Sequence, residues 1–250
     1  MNRKFTFGLL PDPPDPRDLL MRRVIRVGEI PPRMDLRNCL MPVRDQGDEG
    51  TCVAFACAGM KEHQEIKDVG QREFLSPRYL YHWAKQSDPY PGQEGTTIRS
   101  AMAVLHTQGI CTEDKWPYIP GRPGTAKAGA DQEAETFRIE SYARLTTTLD
   151  IEKTVVTVGP IVMGLDIHPE FMTTGEDGRI PKPPRRYKTL GCHAVLLCGY
   201  DRNEEIFILR NSWGECWGQQ GYGYATYYHI NRCLVDAWSS VDIITGGTNQ

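Results

Sequence analysis

The sequence has no long apolar run, no CxxC pair and no marked excess of either charge. No stretch approaches the length that crosses a bilayer. The formal net charge is −3, and no basic run is interleaved with aromatic residues, so we expect neither a membrane span nor nucleic-acid binding. Prolines interrupt the short apolar run at the N-terminus. We therefore expect no conventional secretory signal, and a protein that is cytoplasmic or non-classically exported.

The sequence contains eight cysteines, but their spacing favours neither a disulfide framework nor a metal site. A disulfide framework is typical of shorter secreted chains. Zinc sites usually contain close Cys or His pairs, and the nearest candidate, Cys192-His193, consists of adjacent residues that rarely chelate one ion together. We expect no metal and no cofactor, and we expect most of these cysteines to be small buried apolar residues.

The N-terminal segment differs in composition from the rest of the chain. Four prolines fall within residues 11–16, and Pro31-Pro32 follow, which excludes a helix and favours extended geometry. The segment is either a flexible tail or an extended strap lying on the domain. We divide the chain into a proline-rich extension at residues 1–29 and a single domain at 30–250.

Helical patterns come first along the chain and strand patterns follow. We predict helices from Cys52 to the stop at Gly70, with Thr51 as N-cap, from Ser76-Pro77 onward, over residues 97–108 and over 149–158. Strands rich in β-branched and aromatic residues are predicted over 161–167, 193–200, 205–212 and 222–228. This order indicates an α+β protein with a helical lobe and a sheet lobe.

Three residues have positions that suit nucleophilic catalysis. Cys52 lies at a loop-to-helix junction, where unpaired backbone N–H groups stabilise a thiolate. His193 begins a strand, and Asn211 follows one and has an amide oxygen that can orient an imidazole. Taken singly, each is more typical of a structural role: a buried cysteine, a core histidine and an asparagine in a Gly-rich turn.

Taken together, the three local sequences resemble the papain family of cysteine proteases. They are Q-G-x-x-G-T-C-x-A-F at Cys52, G-C-H-A-V at His193 and N-S-W-G-x-x-W-G-x-x-G-Y at Asn211, in the family's order. The resemblance extends from about Ile30 to Tyr228. It implies a papain-like two-lobe fold, with a helical left lobe, a β-barrel-like right lobe and the active site between them.

The resemblance also implies an activity. It is that of a cysteine endopeptidase with a thioester acyl-enzyme on Cys52, His193 as acid and base, and Asn211 orienting the imidazole. Gln46 matches the glutamine of the oxyanion hole, and Trp213 the tryptophan that shields the His–Asn pair. A peptide or protein substrate and a monomeric enzyme are expected.

Substrate contacts and departures from the family follow from the same alignment. The candidate substrate-binding residues are Gly95, Thr96, Ile98, Gly164, Ala194 and Trp213, and they suggest an apolar pocket with Gly191 nearby. An acidic group at the pocket end, such as Asp236, would instead favour a basic side chain. Glu49 replaces a usual cysteine whose disulfide partner is also missing, and Cys192 precedes the histidine.

The resemblance makes residues 30–250 a papain-like catalytic domain and residues 1–29 a candidate short propeptide. The extension is too short for the family's long helical propeptide. We hypothesise that it crosses the cleft and restrains activity, as in a zymogen. Two alternatives remain open on the same fold: an acyltransferase or transpeptidase, in which an amine takes the acyl group, and a binding module without catalysis.

Overall fold

The computed structural model describes residues 5–25 and 29–242. Those parts of the predicted N-terminal extension that fall on residues 1–4 and 26–28, and the end of the predicted catalytic domain at 243–250, lie outside the described residues. Within the described part of the chain, no helix combines the length and apolarity that a membrane crossing requires.

The helical lobe is built around a long buried helix that carries Cys52 at its start, whereas the last two helices pack against the sheet. The helices are α1 (Cys52–Val69), α2 (Pro77–Ser87), α3 (Ile98–Thr107), α4 (Ala130–Ala134), α5 (Thr148–Thr157) and α6 (Tyr227–Cys233). The first thirteen residues of α1 are buried, and both α2 and α3 pack against it. This burial explains how α1 tolerates a run of small and polar residues: tertiary packing supplies most helix stability.

The helix ends follow the predicted signals with one exception. Ser76 caps α2 by accepting a hydrogen bond from the Tyr79 amide, with Pro77 in the first turn. Gly70 ends α1 in the left-handed conformation. The predicted N-cap role of Thr51 is wrong, because its side chain makes no capping bond and its hydroxyl lies 2.7 Å from the hydroxyl of Tyr118.

The other lobe is an antiparallel sheet. Its strands are β1 (Arg33–Asp35), β2 (Ile139–Arg144), β3 (Ile161–Ile167), β4 (Gly191–Asp201), β5 (Ile206–Arg210), β6 (Tyr222–Thr226) and β7 (Leu234–Asp242). They hydrogen-bond in the order β2-β7-β3-β4-β5-β6, with β1 on β4. The near-continuous apolar runs of β3 and β4 are buried on both faces, since α1 packs on them. The predicted α+β fold is confirmed.

The N-terminal extension is a strap in the described structure. We call residues 5–25 the strap. Leu9 forms a parallel bridge to Thr96, and Leu20 forms another to Arg144 in β2. Leu9 and Met21 are buried, so the strap is part of the packed structure and the flexible-tail alternative does not describe it.

Candidate active site

Cys52 and His193 come together where α1 meets β4. Cys52 is the first residue of α1 and His193 the third residue of β4. The backbone N–H of Ala194, the next residue along β4, donates to the Cys52 sulfur at 3.4 Å. Both side chains are fully buried. The packing of α1 on β4 thus brings the Cys52 thiol to the residue that follows His193, across the junction of the two lobes.

Asn211 fixes the tautomer of the His193 ring. Its Oδ1 lies 2.8 Å from His193 Nε2 and accepts the backbone N–H of Ser212, also at 2.8 Å. An oxygen that accepts from an amide is an acceptor for the ring as well, so Nε2 carries the proton. The other ring nitrogen, Nδ1, is buried and makes no protein hydrogen bond. It therefore presents a free lone pair.

Trp213 covers the hydrogen-bonded pair of His193 and Asn211. Its ring stacks on the His193 ring with centroids 4.4 Å apart and planes 30° apart, and it has no solvent exposure. Phe171 packs edge-on against it, with ring centroids 5.9 Å apart. Excluding water strengthens the hydrogen bond between His193 and Asn211, because the local dielectric constant is low.

Gln46 is held beside the same loop. Its backbone N–H donates to the carbonyl of Ser212, and its side-chain oxygen accepts from the Ser212 hydroxyl at 2.6 Å. These contacts leave the side-chain nitrogen as the donor end, which reaches the carbonyls of Glu49 at 2.7 Å and Thr6 at 3.2 Å. The Gln46 amide is thereby oriented with its N–H groups toward the strap.

The strap runs through the cleft. The Leu9 N–H donates to the Cys192 carbonyl at 3.2 Å, and the Leu10 N–H donates to the Thr96 carbonyl at 3.0 Å. The carbonyl of Gly8 accepts from the Thr96 N–H at 2.9 Å, while the Gly8 N–H faces the Cys52 sulfur. Gly8 has to be glycine here, since a Cβ would overlap the carbonyl of Gly50.

The covered site holds neutral groups. Burial raises the pKa of the Cys52 thiol to about 11, against a smaller lowering by backbone N–H groups. Burial also lowers the pKa of His193 to about 4, although the Asn211 bond acts the other way. The sequence predicts a thiolate stabilised by the helix N-terminus. The backbone N–H groups act in the predicted direction, but beneath the strap the loss of water outweighs them.

Leu9 lies in the candidate substrate pocket. A Cβ on Gly164 would overlap Leu9 Cδ2 and would lie 3.5 Å from Ile98 Cδ1. Gly164 pairs with Ala194 across the sheet, while Gly95 and Thr96 line the opposite edge of the strap. The pocket residues suggested by sequence therefore lie together, and the side chain inside is aliphatic.

Asp236, the candidate acidic pocket end, is paired with a strand residue. Its Oδ1 accepts from Arg144 at 2.8 Å, and its side chain is almost fully buried. Arg144 therefore offsets the charge of Asp236, while Oδ2 is buried without a hydrogen-bond partner.

An ion pair lies where the family's disulfide is missing. Glu49 accepts two hydrogen bonds from Arg78, at 2.7 and 3.0 Å, and one from the Gly121 N–H. Burial acts to raise the pKa of Glu49, but these bonds hold it below its usual value. All eight cysteines are free thiols. Charged contacts thus anchor the loop that precedes Cys52.

Two residues of the strap, Gly8 and Leu9, were missed by the sequence analysis as contacts of the site. The signal available was weak: the segment FGLL combines a glycine, which can approach backbone closely, with an aliphatic residue suited to an apolar pocket. Their position in the cleft depends on contacts with residues far along the chain.

The fold and the site define a family. The sequence profile of the papain family cysteine proteases matches residues 30–243, so the chain belongs to that family and is a papain-like cysteine peptidase.

Its relatives include viral, animal and bacterial proteins. An uncharacterised peptidase C1-like protein of Acanthamoeba polyphaga mimivirus is 28% identical and covers 90% of this chain and 82% of its own. Mouse cathepsin J is 30% identical, over 80% of this chain and 60% of its own. The crystal structure of xylellain, a cysteine protease from Xylella fastidiosa, superposes with a TM-score of 0.83 at 27% identity, covering 97% of this chain and 98% of that one.

Proposed function

We propose that this protein is a cysteine endopeptidase whose activity is restrained by its own strap. The observation that carries the proposal is the pairing of the strap with both sides of the cleft, through hydrogen bonds to Thr96 and Cys192, with the Gly8 N–H toward the Cys52 sulfur. Release of the strap exposes the sulfur and the pocket that Leu9 fills.

The proposed chemistry uses four residues. His193 Nδ1 takes the Cys52 proton, and the thiolate attacks the peptide carbonyl carbon. The resulting oxyanion accepts hydrogen bonds from the Gln46 side chain and the Cys52 backbone N–H. The imidazolium returns its proton to the leaving amine, so the C–N bond breaks and a thioester remains. Water then attacks the thioester, with His193 as base, and releases the acid and the thiol.

Asn211 holds the His193 ring in one orientation throughout this cycle. Because its Oδ1 accepts from Nε2–H, the ring presents Nδ1 to the sulfur and the imidazolium retains a partner. Trp213, stacked on the ring, restrains the imidazole from turning away.

The strap is proposed to resist cleavage because it presents an N–H group to the Cys52 sulfur, where a substrate presents a carbonyl carbon. A substrate must place a carbonyl carbon near the sulfur and its oxygen at the Gln46 amide. In the strap an N–H faces the sulfur, the Gly8 carbonyl turns to Thr96, and the carbonyl reached by Gln46 belongs to Thr6. Neither of these two carbonyls meets both requirements.

Leu9 supports a preference for substrates with an aliphatic side chain at the same pocket. The pocket offers Ile98 and the sheet residues Gly164 and Ala194, and its acid is neutralised by Arg144. Burying a leucine side chain there is favourable by about 1.5–3 kcal/mol.

The test measures hydrolysis of a small peptide with a leucine, and covalent labelling by an epoxide directed at cysteine peptidases. The full chain is compared with Gly8→Ala, whose added methyl group cannot fit beside the carbonyl of Gly50. Gly175→Ala is the matched control, since a Cβ there meets nothing nearer than 3.8 Å.

We expect slow labelling of the full chain, fast labelling and hydrolysis in Gly8→Ala, and no label at position 52 when Cys52→Ala is added. Equal rates for the full chain and Gly8→Ala would refute restraint by the strap. A Gly8→Ala protein that labels but releases no hydrolysis product would refute the peptidase. A chain beginning at Ile30 provides a second comparison.

A further inference from the structure

A second cluster of reactive side chains lies in the sheet lobe, apart from the Cys52 site. His168 follows the end of β3, and His229 and Cys233 lie four residues apart on α6. All three are buried, and one ligand atom of each lies within 4.8 Å of the other two. Residues four apart lie on one face of a helix, so α6 directs both of its side chains toward His168.

The ring nitrogens of this cluster lack partners. His168 Nε2, His229 Nδ1 and His229 Nε2 are buried and make no protein hydrogen bond. Buried polar atoms almost always have a hydrogen-bond partner, so three ring nitrogens without one in a single cluster indicate a ligand site. The carbonyl of Pro181 faces the His229 ring and can accept from one of its nitrogens, which leaves the other with a lone pair toward the cluster.

One histidine already has the outer contact that metal ligands usually have. His168 Nδ1 lies 3.0 Å from a carboxylate oxygen of Glu170, which leaves Nε2 with a lone pair facing the cluster. Metal-binding histidines commonly use their second nitrogen in this way, and the carboxylate fixes the ring and increases its basicity.

The thiol has a partner that the metal would replace. The Cys233 sulfur lies 3.5 Å from the Tyr187 hydroxyl, and that hydroxyl donates to Asp166 at 2.9 Å. Because the Tyr187 hydroxyl hydrogen is directed at Asp166, the Cys233 S–H donates a hydrogen bond to the Tyr187 oxygen when no metal is bound. This contact gives the Cys233 thiol a hydrogen-bond partner but gives none to the three ring nitrogens.

We propose that His168, His229 and Cys233 form a binding site for one zinc ion. Two imidazoles and one thiolate suit zinc and disfavour calcium or magnesium, which take oxygen ligands. A tetrahedral zinc ion with these ligands needs separations of about 3.3–3.8 Å between ligand atoms, which small side-chain rotations provide here. The fourth position is left to water or to the Tyr187 oxygen.

Zinc binding also moves a proton, because a cysteine binds a metal as the thiolate. On binding, the Cys233 proton is released to solvent and the thiolate bonds to the ion, so one proton leaves per zinc bound.

The ion would join the end of β3 to α6. His168 contacts Phe171 at a centroid distance of 6.3 Å, and Phe171 packs on Trp213. The role we assign is structural, since binding to the folded state alone stabilises it. This inference is independent of the proposed function.

The experiment is a cobalt(II) titration of the full chain carrying Cys52→Ala, which removes the catalytic thiol as a competing ligand. The protein is first dialysed against a chelator. We expect one equivalent to bind, with the near-ultraviolet absorption of a cobalt–thiolate bond, and a higher melting temperature with zinc. Absence of that absorption in the folded chain overturns the proposal.

Three variants identify the ligands. Cys233→Ser should abolish the thiolate absorption, and His229→Gln should weaken binding at least about 10²-fold. Glu170→Ala, at a partly exposed residue, should weaken binding about tenfold or more without affecting the fold. Cys198→Ser is the control, because that buried thiol donates to the Ile208 carbonyl outside the cluster. Unchanged absorption in Cys233→Ser, or equal loss in Cys198→Ser, overturns the assignment.

Discussion

The side chain of Leu9 occupies the space that Gly164 leaves open beside Ile98. This contact ties the strap to the same pocket that the peptidase is proposed to use for substrate. The strap and the substrate therefore compete for one surface, and weakening the strap should raise activity without any change to the catalytic groups.

Leu9→Ala should activate the enzyme. Removing a buried leucine costs about 2–5 kcal/mol, so we expect at least a tenfold rise in the rate of peptide hydrolysis at low substrate concentration. Leu19→Ala is the control, since Leu19 lies on the same strap with its side chain largely exposed. A rate for Leu9→Ala that stays at the level of Leu19→Ala would contradict the role of the pocket.

Strap docking should tighten as the pH falls. Burial raises the pKa of Asp12 from its ordinary 3.8 to about 6; hydrogen bonds from Thr97 and Arg99 oppose this rise and Asp236 adds to it. At pH 5 the free carboxyl is ionised and the docked one is mostly protonated, so docking takes up a proton. Between pH 7 and pH 5 this favours the docked state by about tenfold.

The measurement for this prediction is the ratio of labelling rates of the native chain and Asp12→Asn at each pH. The ratio cancels the titration of Cys52 itself, and it should fall by about tenfold from pH 7 to pH 5. A ratio that does not change with pH would show that Asp12 contributes no protons to docking.

Gln46→Ala should slow the chemical step. Losing one donor to an oxyanion typically costs roughly 10²–10³ in kcat. The variant is compared with Gln71→Ala, both on the Gly8→Ala chain, because Gln46 also holds the Thr6 carbonyl of the strap. We expect kcat to fall with little change in KM, and a change confined to KM would argue that Gln46 only binds substrate.

Arg78→Ala should destabilise the loop that precedes Cys52. Arg78 is almost fully buried, and its loss leaves Glu49 partly buried with its main partner removed. We expect a loss of roughly 1–3 kcal/mol in the free energy of unfolding by urea. Arg17→Ala, which breaks an exposed pair with Asp15, should leave the midpoint unchanged. Equal midpoints in the two variants would mean that the Glu49 pair contributes nothing.

Sequence patterns predicted most of the helices because their signals are local. Ser76-Pro77 and Gly70 act within one turn of the backbone, so they hold in any tertiary context. Strands β2 and β7 were missed because their pairing joins residues 139–144 to 234–242, and short polar strands have weak patterns of their own.

The sequence by itself determined the family and the candidate residues Cys52, His193 and Asn211, since each stands in a contiguous motif. Only the tertiary structure decided that the strap covers the sulfur, that the covered thiol and imidazole are neutral, and that His168 meets the two ligands of α6. All three depend on burial and on contacts between distant parts of the chain. Burial and long-range contacts are not encoded in any short run of residues.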